Sequence, residues 1–476
     1  MRGQTWLLAA AISVASLLAL GVAGHSQPPS KTDSKPPPKP AEKGKDGDPA
    51  KPDSPAGAKD AAKPAEGPPN LETDENYKKA VELIKQGKVA DSLEALKEMV
   101  KLKPEYPPAK LIMAKFLGDA RQTAQSRLML EQAAAESPDH PDVYISMGNM
   151  ALSDGRVTDA MLHFERAAEL GKTGKWPDFQ KRNIHLACTV GLATVAEARG
   201  QWQKAADLIK KLVDAEPKNG RLRFRYGRAL FMVDKREEAA NEFEQAAADD
   251  KNVEPAGIAM GRLFSSKGNK EKAREWMDYA VKKEPKNLAA RVGFAAWLVD
   301  EGQWEEAQTH VDAAASIDEK SVDVMYLKGL LARRQKDYTK AEREFERLIQ
   351  QAPTNFQGAI QLALVLVEQD EGKQQRALEL AQRIVQQLQR NPEALATYSW
   401  ILYKQKRIDD AEKAMELGRS TGQISADAAY YYSHILADRG KLDDVRNLLK
   451  SATAAQGRFF FRKEAEAWLK QLEDKP

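Results

Sequence analysis

The stretch GRLRFRYGRAL, which begins at Gly220, puts Arg221, Arg225 and Arg228 at i, i+4 and i+7. That spacing lays three guanidiniums on one face of a helix. Arg262 follows Arg228 by 34 residues, and Asn149 holds the corresponding place further upstream. Clustered guanidiniums suit carboxylates, phosphates or uronic-acid sugars, because their planar forks donate paired hydrogen bonds. The plainer alternative is a solvated basic face neutralised by nearby acids. Asn149, Arg221, Arg225, Arg228 and Arg262 are therefore the candidate binding residues.

No constellation for catalysis accompanies them. The six histidines, His25, His140, His163, His185, His310 and His434, are scattered, and none belongs to a two-ligand helix motif. Gly171-Lys172-Thr173 has the end of a phosphate loop, but Arg166 stands where its first glycine belongs, and a helix rather than a strand precedes it. The acid pairs Glu237-Glu238, Glu305-Glu306 and Asp409-Asp410 open helices, where the backbone dipole favours negative charge. The single cysteine, Cys188, can form no internal disulfide and no Cys-based metal cage. Its composition fits a small buried apolar residue. The expectation is a non-enzyme with no cofactor and no metal.

Length and charge narrow the class further. The 476 residues carry 73 basic and 70 acidic side chains, a net charge of +3. A dedicated nucleic-acid binder would show a basic excess, so no nucleic-acid partner is expected. Residues 1–24, MRGQTWLLAAAISVASLLALGVAG, have one positive charge, a long apolar run and small residues at its end. This is a secretory signal pattern, and the run is also close to the lower limit for an uncleaved membrane anchor. Either way the chain is expected to be exported, periplasmic or envelope-associated, and to touch a membrane only through this segment. Residues 25–72 hold 12 of the 24 prolines among Lys, Asp, Ala and Gly. Such a stretch cannot bury enough apolar surface to offset its ordering entropy, so a disordered linker is expected.

From there a beat sets in. Ala205, Ala239, Ala273, Ala307 and Ala341 stand 34 residues apart, and Ser92, Ser126 and Ala160 keep the same step. Ala377, Ala411 and Val445 continue it after a slip of two. In GRVTDAMLHFERAAEL, from Gly155, a loop glycine is followed by Ala160, Phe164 and Ala167. GNKEKAREWMDYAV, from Gly268, repeats this with Ala273, Met277 and Ala280. Each period reads as two helices that cross closely, with small residues at the contact and one bulky residue filling the remaining space. Gly148, Gly227, Gly261 and Gly329 supply the small residue on the first helix.

This pattern resembles the tetratricopeptide repeat family, whose 34-residue signature has Gly, Ala, Phe, Ala and Pro at set places. Eleven repeats are expected over 73–455, beginning near Thr73, Pro107, Pro141, Leu186, Gly220, Glu254, Leu288, Val322, Phe356, Glu393 and Ala428. The step between the third and fourth is 45, so an insertion near 171–185 lengthens the fourth repeat's first helix, with Pro177 its opening residue. Residues 456–476, from Gln456, include FFFRKEAEAWLKQLEDKP, an expected amphipathic capping helix and tail.

The resemblance implies an all-α, right-handed α-solenoid whose first helices line a concave groove that selects a protein partner. It partly extends to the carboxylate-clamp variety, in which Asn and paired basic residues hold a peptide's terminal carboxylate. Asn149, Arg221 and Arg225 match that pattern, whereas Gly191 and Ile145 depart from it. The ending is also similar to bacterial repeat proteins of exopolysaccharide and envelope-assembly systems. The reading is thus an exported, non-catalytic scaffold in cell-envelope assembly or secretion, with binding of an anionic polysaccharide as the alternative. Trp202 and Trp304 fit inter-helix packing. Trp176 and Tyr430-Tyr431-Tyr432 are secondary ligand-contact candidates.

Overall fold

The computed structural model describes residues 71–474, and the expected signal segment and nearly all of the expected linker lie outside them. The chain divides after Pro217 into two compact units. Every described element is helical, with no strand among the described residues. The first unit opens with a 3-10 turn, Leu71–Thr73, and then forms four helix pairs over 75–102, 109–136, 141–173 and 178–215. The second forms seven pairs over 220–249, 256–283, 288–317, 322–351, 356–387, 392–421 and 426–454, followed by a last helix, Arg462–Glu473.

The pairs form because the repeat places small residues where two helices must cross. Ala160, Ala205, Ala239, Ala273, Ala307, Ala341, Ala377 and Ala411 are all fully buried. Opposite them, Gly148, Gly227 and Gly329 lie against the rings of Phe164, Phe243 and Phe345. Each of these rings has no exposed surface, a burial worth roughly 1.5–3 kcal/mol. Gly261 makes the same contact with Met277. Where serine replaces the alanine, its hydroxyl finds a carbonyl on the partner helix: Ser92 bonds Ala80 and Ser126 bonds Ala114, at 2.8 and 2.6 Å. The polar atom is thereby satisfied at no cost in volume.

Tight turns join the two helices of each pair. In every pair but 356–387 one turn residue takes a left-handed backbone, as at Gly302 with φ of +75°. Four pairs instead place Arg121, Asp234, Lys336 and Lys406 in that conformation. A side chain there costs about 1 kcal/mol, which the packed helices on both sides override.

Two features differ from the expected boundaries. The additional residues between the third and fourth pairs lengthen two helices, not one: Val157–Thr173 has 17 residues and Asp178–Ala198 has 21. Pro177 caps the latter from just outside, with an extended backbone. Phe459, Phe460 and Phe461 are not helical, and the last helix starts at Arg462. A helix would turn three consecutive aromatics to three different directions, exposing at least one. The non-helical path instead buries Phe459 and Phe460 to 5% exposure.

Cys188 is buried in the first unit's core, and burial pushes its thiol up to about 12. Among the described residues no helix is long and apolar enough to cross a membrane.

Substituting Gly329→Ala would bring a Cβ within 2.6 Å of the enclosed Phe345 ring. We expect a loss of about 1–3 kcal/mol, measured by chemical denaturation. Lys406→Gly should act oppositely and gain about 1 kcal/mol by relieving its left-handed backbone.

Candidate functional site

In the second unit, first helices of successive pairs also pack directly on one another, from Ala256–Ser266 through to Ala426–Asp438. The second helices fit between pairs. The row of first helices therefore lines the inner side of this stack, and side chains on it recur at one-repeat intervals.

Arg221, Arg225 and Arg228 share the helix Gly220–Met232, the first helix of the pair that precedes this row, where Arg225 and Arg228 are half-buried. Arg221 stays exposed and lies 3.7 Å from Asp250. Arg262, on Ala256–Ser266, is exposed and pairs with Glu254 at 3.1 Å, an acid whose own pKa burial raises. Such exposed pairs contribute little to stability and leave both arginines able to exchange partners. Arg223, which sequence reasoning passed over, is the anchored member. It bonds Glu242 at 2.8 Å and approaches Asp249 at 3.3 Å, fastening the two helices of its pair.

Asn149 belongs to the first unit, on Pro141–Ser153, while the arginines belong to the second. The departures from a carboxylate clamp have physical causes. A Cβ at Gly191 would lie 2.4 Å from the Phe164 ring, leaving no room for an asparagine. Ile145 is a core residue at 3% exposure. Trp176 donates its indole N–H to the Leu170 carbonyl at 3.0 Å and meets His140 edge-on. That contact closes the lengthened turn and uses up the polar end of the ring.

Further along the inner side is a concavity of about 220 Å³, lined by Arg262, Asp300, Asp323, Tyr326 and Arg458 over an apolar floor that includes Val292, Ala296 and Leu330. Arg458 comes from the chain's end. From Gly457, whose φ is +98°, the chain turns back across the row of first helices. The Phe460 ring lies under the Arg333 guanidinium at 4.2 Å and against Trp304 at 5.3 Å. Trp304 thus packs on the returning tail, a contact that a helix-pair reading alone does not supply. The Phe460 amide donates to Asp427 at 3.0 Å, and its carbonyl accepts from Arg334 at 3.0 Å. Arg333, itself buried, also donates to Gln361 at 2.6 Å and to the Tyr431 hydroxyl at 3.1 Å.

Of the tyrosine triplet only Tyr430 is partly exposed, and the other two are core residues. Tyr431 is fully buried and stacks on Trp400 at 4.6 Å. Tyr430 stacks on Phe461 at 4.9 Å, and Tyr432 carries Arg419 over its ring. Sequence reasoning missed Arg333, Arg334 and Asp427. The one available signal was the Phe459–Phe461 run, which a one-faced helix cannot bury.

Stacked helix pairs in a fixed 34-residue register, with an inner row of first helices, define a helical-repeat protein. The tetratricopeptide repeat pattern matches residues 83–144, 196–256, 298–356 and 368–423, together half of the chain. The chain belongs to the tetratricopeptide repeat family. A curated relative, "Anaphase-promoting complex subunit 3" of Schizosaccharomyces pombe, is 22% identical over 187 residues. That match spans 39% of this chain and only 26% of the relative. Among solved structures, the yeast Tom70 is 13% identical, with coverage of 84% of this chain and 95% of that one, at a TM-score of 0.35. The APC/C hetero-tetramer Cut9-Hcn1 is 10% identical, with coverage of 83% and 96%, at a TM-score of 0.41. None of these likenesses carries a function over to this chain.

Burial raises the Asp427 carboxyl to about 6, with Arg333 opposing the shift and Glu393 adding to it. A carboxyl whose folded pKa exceeds its unfolded value favours the fold at low pH and loses that contribution as pH rises toward the folded pKa. Asp427→Asn keeps an acceptor for the Phe460 amide without the charge. Its stability relative to the native chain should therefore improve by on the order of 2 kcal/mol between pH 4 and pH 7. Denaturation across that range checks this, and a pH-independent difference would contradict it.

Proposed function

We propose that this chain is a non-catalytic scaffold that holds a protein partner along the inner row of first helices. The observation that carries this reading is the size and build of the inner surface. Its concavity of about 220 Å³ is smaller than the roughly 300–1,000 Å³ typical of metabolite pockets. It is large enough for a side chain of a docking peptide. Around it, charged groups sit at one-repeat spacings, which suits an extended ligand touching several repeats in turn. Arg221 and Arg262, exposed and only loosely paired, offer exchangeable contacts to acidic or carboxylate groups of such a partner.

The proposed setting is export, with work in the bacterial cell envelope, in assembly or secretion. The support is the signal-like pattern of residues 1–24 and the linker-like composition of 25–72. The alternative ligand, an anionic polysaccharide, would require the arginine face to be open to a polymer of like charges. The acids Asp250 and Glu254 beside Arg221 and Arg262 weaken that face for a polyanion, so the protein partner is the favoured reading.

A photocrosslinker placed at Arg262 in cells, with the Arg221→Glu, Arg225→Glu and Arg228→Glu triple variant as control, tests the reading. We expect a discrete protein adduct that is lost in the variant. An adduct that persists would move the site away from these arginines. No protein adduct, together with salt-sensitive binding of a uronic-acid polymer, would replace the protein partner with the polysaccharide.

A further inference from the structure

We propose that the inner groove of residues 288–454 is a binding site for a non-helical peptide with a basic residue followed by consecutive aromatics, and that residues 456–461 occupy it as a tethered competitor. The inference rests on the scaffold reading, and it identifies the ligand chemistry of a different stretch of the same inner surface.

The last helix covers the end of the stack, whereas the segment before it is held as a bound peptide would be. Phe460 is held through both its backbone groups by side chains of distant repeats, Asp427 on the amide and Arg334 on the carbonyl. Contacts of this kind read the main chain whatever its sequence. Its ring sits between the Arg333 guanidinium and the Trp304 indole, a slot that selects an aromatic side chain. Phe461 stacks on Tyr430, which makes a second aromatic subsite. Two residues before Phe460, Arg458 enters the concavity that Asp300 and Asp323 line, so a cation is matched with acids. Together these three subsites read a basic residue followed, two and three positions on, by aromatics, as Arg458, Phe460 and Phe461 are in this chain.

The segment is also built to be released separately from the repeats. It has no backbone ladder of its own. Beyond Phe461 the last helix is seated on the last pair, with Trp468 against His434 at 4.6 Å and Arg446 donating to the Leu472 carbonyl at 3.3 Å, and it reaches the earlier repeats through Lys336 with Glu464 at 3.8 Å. Arg462 bonds the carbonyls of Thr453 and Ala455 at 2.6 and 2.8 Å. Those bonds hold both ends of the segment, so that residues 456–461 leave the groove as a loop hinged at Gly457 while the helices on either side stay seated. A local opening of this type leaves the repeat core intact.

The test uses a fluorescent synthetic peptide of residues 454–465 added to the full chain. The native chain, Phe460→Ala, and Phe460→Ala combined with Arg333→Ala are compared by fluorescence anisotropy after helicity and melting have been matched. The expected result is binding to Phe460→Ala at least tenfold tighter than to the native chain, and loss of that gain when Arg333 is also removed. Equal, weak binding to folded native and Phe460→Ala chains would overturn the proposal and make the tail a fixed part of the fold. Should Phe460→Ala fail to fold, amide hydrogen exchange of 456–461 in the native chain decides. Exchange through an opening below the global one supports release, and exchange only on global unfolding overturns it. Neither negative result touches the arginine face, whose own crosslinking test is read at Arg262.

Discussion

The structure depends on one steric fit, a large ring pressed against a glycine where two helices cross. At Gly148, Gly227 and Gly329 a Cβ would fall within 2.6–3.0 Å of the facing Phe ring. The backbones can approach that closely only because the first helix offers no side chain there. Once the distance within a pair is fixed, so is the thickness of each repeat, and with it the spacing of everything mounted on the inner row. Chemistry can then be placed by counting in steps of 34. The fit is strict enough that Gly191, in a pair with lengthened helices, makes it with Phe164 as well. In doing so it rules out the polar residue that a carboxylate clamp would want at that place.

The turns show how far this packing can overrule local preference. Glycine supplies the left-handed residue in several turns, but arginine, aspartate and lysine do so in others. The conformation is set by the helices it joins, and the residue accepts it. The serines at the crossing make the same point from the other side. Ser92, Ser126 and Ser399 are completely or nearly buried, and each donates to a carbonyl twelve residues away on the partner helix. A polar residue can therefore hold an apolar position where the backbone geometry repeats so closely that an acceptor is always in reach.

Much of this was legible in the residues. The small-residue beat gave the pairing of helices, the contact residues and the repeat register, because each follows from steric exclusion at fixed spacing. The placing of Arg221, Arg225 and Arg228 on one helix was legible for the same reason. The ion pairs of Arg221 and Arg262 were not, since Asp250 and Glu254 lie outside the helices that carry these arginines. The path of Phe459–Phe461 was illegible in detail. An amphipathic pattern in the following residues drew the triplet into a helix, whereas its burial is decided by Trp304, Arg333 and Asp427, which periodicity within a repeat cannot connect to it. Trp304 illustrates the limit well. Its position two residues after Gly302 reads as a packing residue, and it is one, but its partner is the chain's end.

A stack of repeats ordinarily makes contacts only between neighbours, so its ends can fray and its middle can persist. The bond from Arg334 to Phe460 joins residues 126 apart, and that from Arg333 to Tyr431 joins residues 98 apart. These turn the last five repeats from an open row into a closed circuit. Loop closure of that length is slow to form, yet while the tail is seated it binds the fate of residue 304 to that of residue 461. Thermal fraying at this end would then be replaced by melting as a block, while repeats outside the circuit remain free to unravel one pair at a time.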